Sequence, residues 1–215
     1  MLPFTHDQFL NLFGDYNASI WPVQAIAYAL AIAICMLLWR KSANRGAWVG
    51  GGLSLFWLWT GVVYHSVFFS RINGLAIAFG MVFVLEGLLL AFAGITGRLS
   101  FGDGTRRPSW RAMLAWALVL YSAIAYPIIG AANGVTYPNA PSFGVTPCPV
   151  TLFTWGILLM ARTVPLWLVV VPFAWALVGG SAAFLLDVPQ DWPLLASAVV
   201  AFLVPRRRAG DLPGT

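Results

Sequence analysis

Residues 74–96 read GLAIAFGMVFVLEGLLLAFAGIT, twenty-three positions with one charged side chain, Glu86, between Arg71 on one side and Arg98 on the other. About 20 apolar residues in a helix cover the roughly 30 Å of hydrocarbon in a bilayer. The stretch therefore reads as a transmembrane helix, and it sets the scale for the rest of the chain. Comparable apolar runs occur at Ile20 to Trp39, Ala47 to Phe68, Trp110 to Ala132 and Pro165 to Leu186, with shorter ones at Pro149 to Ala161 and Trp192 to Val204. Composition agrees. A chain of 215 residues with 60% hydrophobic and 9% charged residues, and a mean hydropathy of +0.82, has too little polar surface to solvate a globule. The expectation is an all-α, polytopic transmembrane bundle of about seven spans, forming one integral membrane domain over 1–215.

The linkers alternate in basic charge. Arg40, Lys41 and Arg45 are followed by Arg71 alone, then by Arg98, Arg106, Arg107 and Arg111, then by none, by Arg162, by none, and finally by Arg206, Arg207 and Arg208. Eleven of the twelve Lys and Arg residues thus fall on one side. The positive-inside rule puts that side in the cytoplasm, with the N-terminus outside and the C-terminus inside. A net charge of +5 suggests nucleic acid in a soluble protein, but these cations flank apolar spans, where anionic headgroups satisfy them. Nucleic-acid binding is not expected, because no basic and aromatic interleaved surface remains once the spans are removed. The expected partners are the lipid bilayer, a small solute or ion, and other subunits in a homo- or hetero-oligomer.

Residues 1–19 lack the basic start and cleavage site of a signal peptide. They read as a short interfacial helix with Thr5 as N-cap, Gln8 closing a capping box, Phe4 stapled onto Phe9, and Gly14 ending it. Such a helix serves as a surface anchor or as a lid over an outward-facing cavity. Pro149 to Ala161 and Trp192 to Val204 have 13 residues each, about 20 Å of helix against about 30 Å of hydrocarbon. Either tilt and thinning absorb the shortfall, or the uncharged, Pro-rich segment from Gly134 to Cys148 dips inward to meet the fifth span, leaving an outer funnel.

No catalytic motif, metal-ligand array or nucleotide loop occurs, and no cofactor is expected. The candidate site is a set of polar groups that need a reason to lie where they do. Glu86 is the one acid within a span, expected uncharged and hydrogen-bonded across helices to a group such as Tyr28, Trp57, Thr60 or Tyr121, as a structural bond or as a proton or cation site. Cys148, placed as N-cap of the fifth span, is either a reactive thiol or a buried apolar one. A disulfide with Cys35, toward the opposite face, is not expected. His65, with Tyr64 beside it and Phe68 on its helix face, lies near the outer end of the second span. One histidine makes no metal site without further ligands from Cys148, His6, Asp187 or Asp191. Arg71, followed by Asn73, is a candidate counter-ion for Asp187, Asp191 or an anionic solute. His65, Arg71 and Cys148 are expected to line one outward-open pocket, with Tyr64, Asn73 and Glu86 as further candidates.

Several of these residues carry a resemblance. Pro3-Phe4-Thr5 with Phe9 and Tyr16-Asn17, Tyr64-His65 followed by Phe68-Phe69 and Ile72-Asn73, and Pro147-Cys148-Pro149 with Thr151 and Phe153-Thr154 resemble a family of bacterial multi-pass membrane proteins known only as a domain of unknown function. The resemblance covers essentially the whole chain and implies that these outer-side residues belong to one unit; the expected location is the plasma (inner) membrane. It brings no activity, substrate or cofactor. Three readings of function stand: a small-solute or ion binding or transport protein with an outer vestibule; a membrane-embedded redox or metal-dependent enzyme using Cys148 and His65; and a non-catalytic subunit of a larger complex whose many tryptophans and small residues, such as Gly50-Gly51-Gly52 and Gly179-Gly180, serve helix contacts.

Overall fold

The computed structural model describes residues 3–102 and 109–205, and every regular element among them is helical. In chain order these are α1 (His6–Ile20), α2 (Val23–Trp39), α3 (Arg45–Trp59), α4 (Ala76–Ile95), α5 (Trp110–Leu120), α6 (Tyr126–Ala132), α7 (Pro147–Leu159), α8 (Val170–Leu185), α9 (Trp192–Ser197) and α10 (Val200–Leu203). Four continuous helical stretches are long and apolar enough to cross a membrane: Arg45–Arg71, Ala76–Ile95, Trp110–Ala132 and Leu166–Leu185. A fifth arises if α1 and α2, bent by 81° at their junction, count as one.

The N-terminal helix is built as its sequence reads at the start and differently at the end. Thr5 accepts from the Gln8 backbone and the Gln8 side chain accepts from the Thr5 backbone, closing the capping box. Phe4 stacks on Phe9 at 5.7 Å. Gly14 does not end α1, which runs on to Ile20. The glycine instead permits close approach: a Cβ there would stand 3.1 Å from the Asn139 side chain. Four hydrogen bonds on either side of it strap α1 to the 133–146 loop. Asn17 donates to the carbonyls of Pro138 and Ala140, Asn139 donates to Leu10, and the Tyr16 hydroxyl donates to Val145.

α3 and α4 pack antiparallel at backbone contact. A Cβ on Gly50 would fall 2.7 Å from the Leu90 carbonyl oxygen, and one on Gly94 would fall 2.6 Å from that of Gly46. Small residues that let helix backbones meet are the usual basis of association in lipid, where no hydrophobic force drives helices together. Gly52 and Gly180 are likewise occupied, by Ile34 of α2 and Leu195 of α9. Only Gly51 of the glycine triplet has nothing within 4 Å of its Cβ position. Most of these small residues are thus consumed by packing within the chain.

α7 has 13 residues, as short as the sequence indicates, and it lies at the centre. Pro149 to Leu159 are buried throughout. A helix enclosed by protein need not cross hydrocarbon by itself, and irregular backbone covers both its ends. On one side the 133–146 loop plunges inward: Phe143 packs against Tyr28, Phe56 and Phe153, and Gly144, at φ +75°, brings its backbone against Ala27. On the other, Leu99, Val164 and their neighbours close the end, with Arg162 N–H donating to Ser100 and the Arg45 guanidinium donating to Phe101 and Gly102. The continuous seventh helix expected from Trp192 to Val204 is broken into α9 and α10. That segment still runs from end to end, since Asp191 meets Tyr126 while Pro205 accepts from Val164 beside the basic linkers. The ends differ in charge: Arg45, Arg98 and Arg162 gather at one, and Arg71 is the one Lys or Arg at the other among the described residues.

Candidate functional site

Two stretches of π-helix shape the end that carries α1. Thr60–Phe68 continues α3, and Tyr121–Ala125 joins α5 to α6. A π-turn widens the helix, carries its hydrogen bonds to i→i+5 and often marks a functional site. Here the Ser66 side-chain hydroxyl also donates to the Gly61 carbonyl. The widening changes which side chains share a face. His65 and Phe68, expected together from 3.6 residues per turn, part company: His65 packs against Phe69, Phe79, Phe83 and Trp175, whereas Phe68 packs against Tyr16 and under the Arg71 guanidinium.

Between α1, the start of α4, α7 and α8 lies a cavity of about 590 Å³. That is within the range of about 300–1,000 Å³ typical of small-molecule sites. Its walls are apolar and aromatic, with Phe9 and Phe13 from α1, Phe69 and Phe79 below them, and Leu177 and Leu185 from α8. Its polar groups are few: Tyr64, Asn73, Tyr126, Thr146, Cys148, Ser181 and Asp191.

Of the six residues singled out by sequence, Tyr64, Asn73 and Cys148 line this cavity; His65, Arg71 and Glu86 are not among its lining residues. His65 is fully buried one layer behind, its ring 5.2 Å from that of Trp175, which forms part of the wall. Neither imidazole nitrogen has a hydrogen-bond partner. Arg71 donates to the Val67 carbonyl and covers Phe68, so the carboxylate partner expected for it at Asp187 or Asp191 is not what holds it. Glu86 is buried on the α4 face that carries Phe83 and Leu90, and both its carboxyl oxygens lack a partner. None of the four expected donors reaches it. The Trp57 indole donates to Thr154, and the hydroxyls of Tyr28, Thr60 and Tyr121 donate to the carbonyls of Ala123, Phe56 and Gln190.

Cys148 is in the first turn of α7 and not its N-cap, because the helix begins at Pro147 with Thr146 before it. Cys148 and Cys35 are both free thiols. The Cys148 thiol lies beside the carboxyl of Asp191 and the indole nitrogen of Trp175. Reactive cysteines sit beside cationic groups, and the neighbour here is an acid. Among the described residues, no three His, Cys, Asp or Glu side chains come together as metal ligands.

Asp191 is the residue that sequence reading undervalued. It closes the short helical turn Pro189–Asp191 before α9, is 5% exposed, and receives a 2.6 Å hydrogen bond from the Tyr126 hydroxyl. Tyr126, inside an apolar span and directly before Pro127, carried the only available hint: a buried tyrosine hydroxyl needs a partner. Burial pushes the Asp191 carboxyl up to about 7, against the opposing pull of hydrogen bonds from Tyr126 and Cys148. A carboxyl that keeps its proton longer folded than unfolded makes the folded state the better proton binder between about pH 4 and 7. Stability should therefore fall as pH rises through that window. Asp191→Asn should remove the decline, as read from thermal unfolding of the purified protein across pH. An unchanged decline in the variant would assign it to another group.

The geometry can now be set beside known proteins. Residues 6–211 match the family model described as a family of unknown function, DUF6064, and the chain belongs to that family. None of the curated proteins or solved structures compared with the chain matches it.

Proposed function

We propose that this is an integral membrane protein that binds a small organic solute in the cavity at its outer end. Its seven apolar segments cross the plasma membrane with the N-terminus outside and the C-terminus in the cytoplasm. Four or five helices with the length and hydropathy of spans support the membrane assignment. Gathering of Arg45, Arg98 and Arg162 at the end opposite the cavity supports the orientation. The observation that carries the binding reading is the cavity itself, a largely apolar volume with a buried Asp191, Tyr126 and Cys148 converging on it. Its mix of apolar walls and a few polar groups suits a solute with an apolar body and one polar group.

The enzyme reading has less support: His65 lies behind Trp175 and Cys148 beside an acid. The subunit reading keeps Gly51, which meets nothing within 4 Å, whereas Gly50, Gly52, Gly179 and Gly180 are occupied within the chain.

Chemical modification of Cys148 tests the cavity. In a Cys35→Ser protein at alkaline pH, N-ethylmaleimide, which is small, uncharged and soluble in both water and lipid, should modify Cys148 in the folded state, slowly because burial and the Asp191 carboxyl disfavour its thiolate. Filling the cavity with Ala182→Phe should slow that modification several-fold. Modification that waits for unfolding, or that ignores the filled cavity, would contradict the proposal.

A further inference from the structure

The route into the cavity and the charge within it narrow the occupant further, provided the cavity is the binding site proposed above. Its outer side is closed: α1 is strapped to the 133–146 loop by Asn17, Asn139 and Tyr16, and Phe4 and Phe9 seal against Phe69. Its lateral rim is open and apolar. Leu75 at the start of α4 is 65% exposed and Leu185 on α8 is 73% exposed, with Leu177 and Val178 exposed between them. Large apolar side chains framing a cavity mouth are stranded in water and at home in acyl chains. Among the described residues the lining contains no Lys, Arg or His, and its one acid, Asp191, is held by uncharged donors. A buried carboxylate without a cationic partner favours a ligand that brings one.

We propose that the cavity is filled from the membrane by a single-chain amphiphile bearing a cationic amine, with the amine at Asp191 and the chain along the phenylalanine walls toward the α8 rim. An amine there gains a charge-assisted hydrogen bond from a site already built to accept one. A carboxylate head on the same chain meets the like charge of ionised Asp191, so the comparison is made near pH 8.

Trp175 lines the cavity and reports on it. The full-length protein is placed in phosphatidylcholine nanodiscs, and its fluorescence is compared with that of Trp175→Phe, so that the difference isolates this one indole. The replacement is mild, because the Trp175 ring sits in a phenylalanine cluster and its indole nitrogen faces only the weakly accepting Cys148 thiol. Three quenchers are used: dodecylamine brominated along its chain, the equally brominated dodecanoic acid, and caesium ion, which stays in water. The amine should quench the Trp175 signal saturably, at a concentration about tenfold below that of the acid, the ratio expected of one charge-assisted hydrogen bond. Caesium should leave the signal unchanged. Asp191→Asn should bring the amine to within about twofold of the acid; because the amine and acid are first compared on the unaltered protein, that comparison stands even if the variant does not fold.

Equal quenching by amine and acid would overturn the cationic head. Quenching by caesium but not by the amine would overturn access from the membrane and leave the cavity as a water-filled binding site. Quenching by none of the three would remove both this inference and the binding proposal beneath it.

Discussion

Glu86→Lys is expected to abolish accumulation of folded protein, whereas Glu86→Gln is expected to preserve it. Glu86 is fully buried in the middle of α4, with neither carboxyl oxygen hydrogen-bonded. An uncharged carboxylic acid is tolerable there, and an amide of nearly the same shape replaces it at a cost of about 1 kcal/mol or less. A lysine brings a charge that lacks a partner and is too far from either end of the helix to reach a headgroup. Even scales that allow for local relaxation put such a charge at about 2.5–3.5 kcal/mol when it sits at the centre of a span, a large share of a typical stability. Size-exclusion profiles of fluorescent fusions in detergent would show a single peak for the Gln variant and aggregate or no signal for the Lys variant. Matching profiles would show that Glu86 is not enclosed.

An effect of comparable size is expected at the α3–α4 contact, and here a neighbour supplies the control. Gly50→Leu would drive its Cβ to 2.7 Å from the Leu90 carbonyl oxygen and 3.1 Å from the Gly94 Cα, both backbone atoms that cannot rotate away. The helices would have to separate along a contact that continues at Gly46–Gly94 and Gly61–Gly80. Overpacking of this kind costs about 1–3 kcal/mol and more where backbone must move. Gly51→Leu, one position on, meets nothing within 4 Å and faces outward, where leucine suits a lipid-facing helix surface. Thermal inactivation should drop sharply for Gly50→Leu and hold or rise for Gly51→Leu. The reverse order would mean that α3 is rotated from the position described.

These two sites mark what one-dimensional pattern carries and what it misses. Residues 74–96 disclose a span because burial in lipid is a property of the segment alone, and a capping box at Thr5 and Gln8 is legible because its partners are three residues apart. Gly50 and Gly51 are indistinguishable in sequence; only the facing helix separates them. The same holds at Glu86, whose expected donors each found a nearer carbonyl or hydroxyl. His65 illustrates a different loss. Its face was inferred from 3.6 residues per turn, and the π-helix over Thr60–Phe68 turned it toward Trp175 and away from Phe68. Gly14 stops a helix by propensity, yet Asn17 and Tyr16 beyond it have tertiary partners in the 133–146 loop that outweigh one glycine's cost of about 1 kcal/mol. Of the candidate site, Cys148, Tyr64 and Asn73 were legible as polar groups at the right depth. Asp191 and Tyr126 are 65 residues apart, and nothing local announces that one will donate to the other.

The central claim is that the chain crosses a membrane with Asp191, Cys148 and the α1 roof on the outer side. A pair of fusions made after Thr215 tests it most directly, one to a reporter that works only outside the cytoplasm and one to a reporter that works only within it. The cytoplasmic reporter should be active and the external one silent, because Arg45, Arg98 and Arg162 gather at the end where Pro205 meets Val164. Activity of the external reporter with silence of the cytoplasmic one would turn the protein over, placing the cavity inside the cell and contradicting the account.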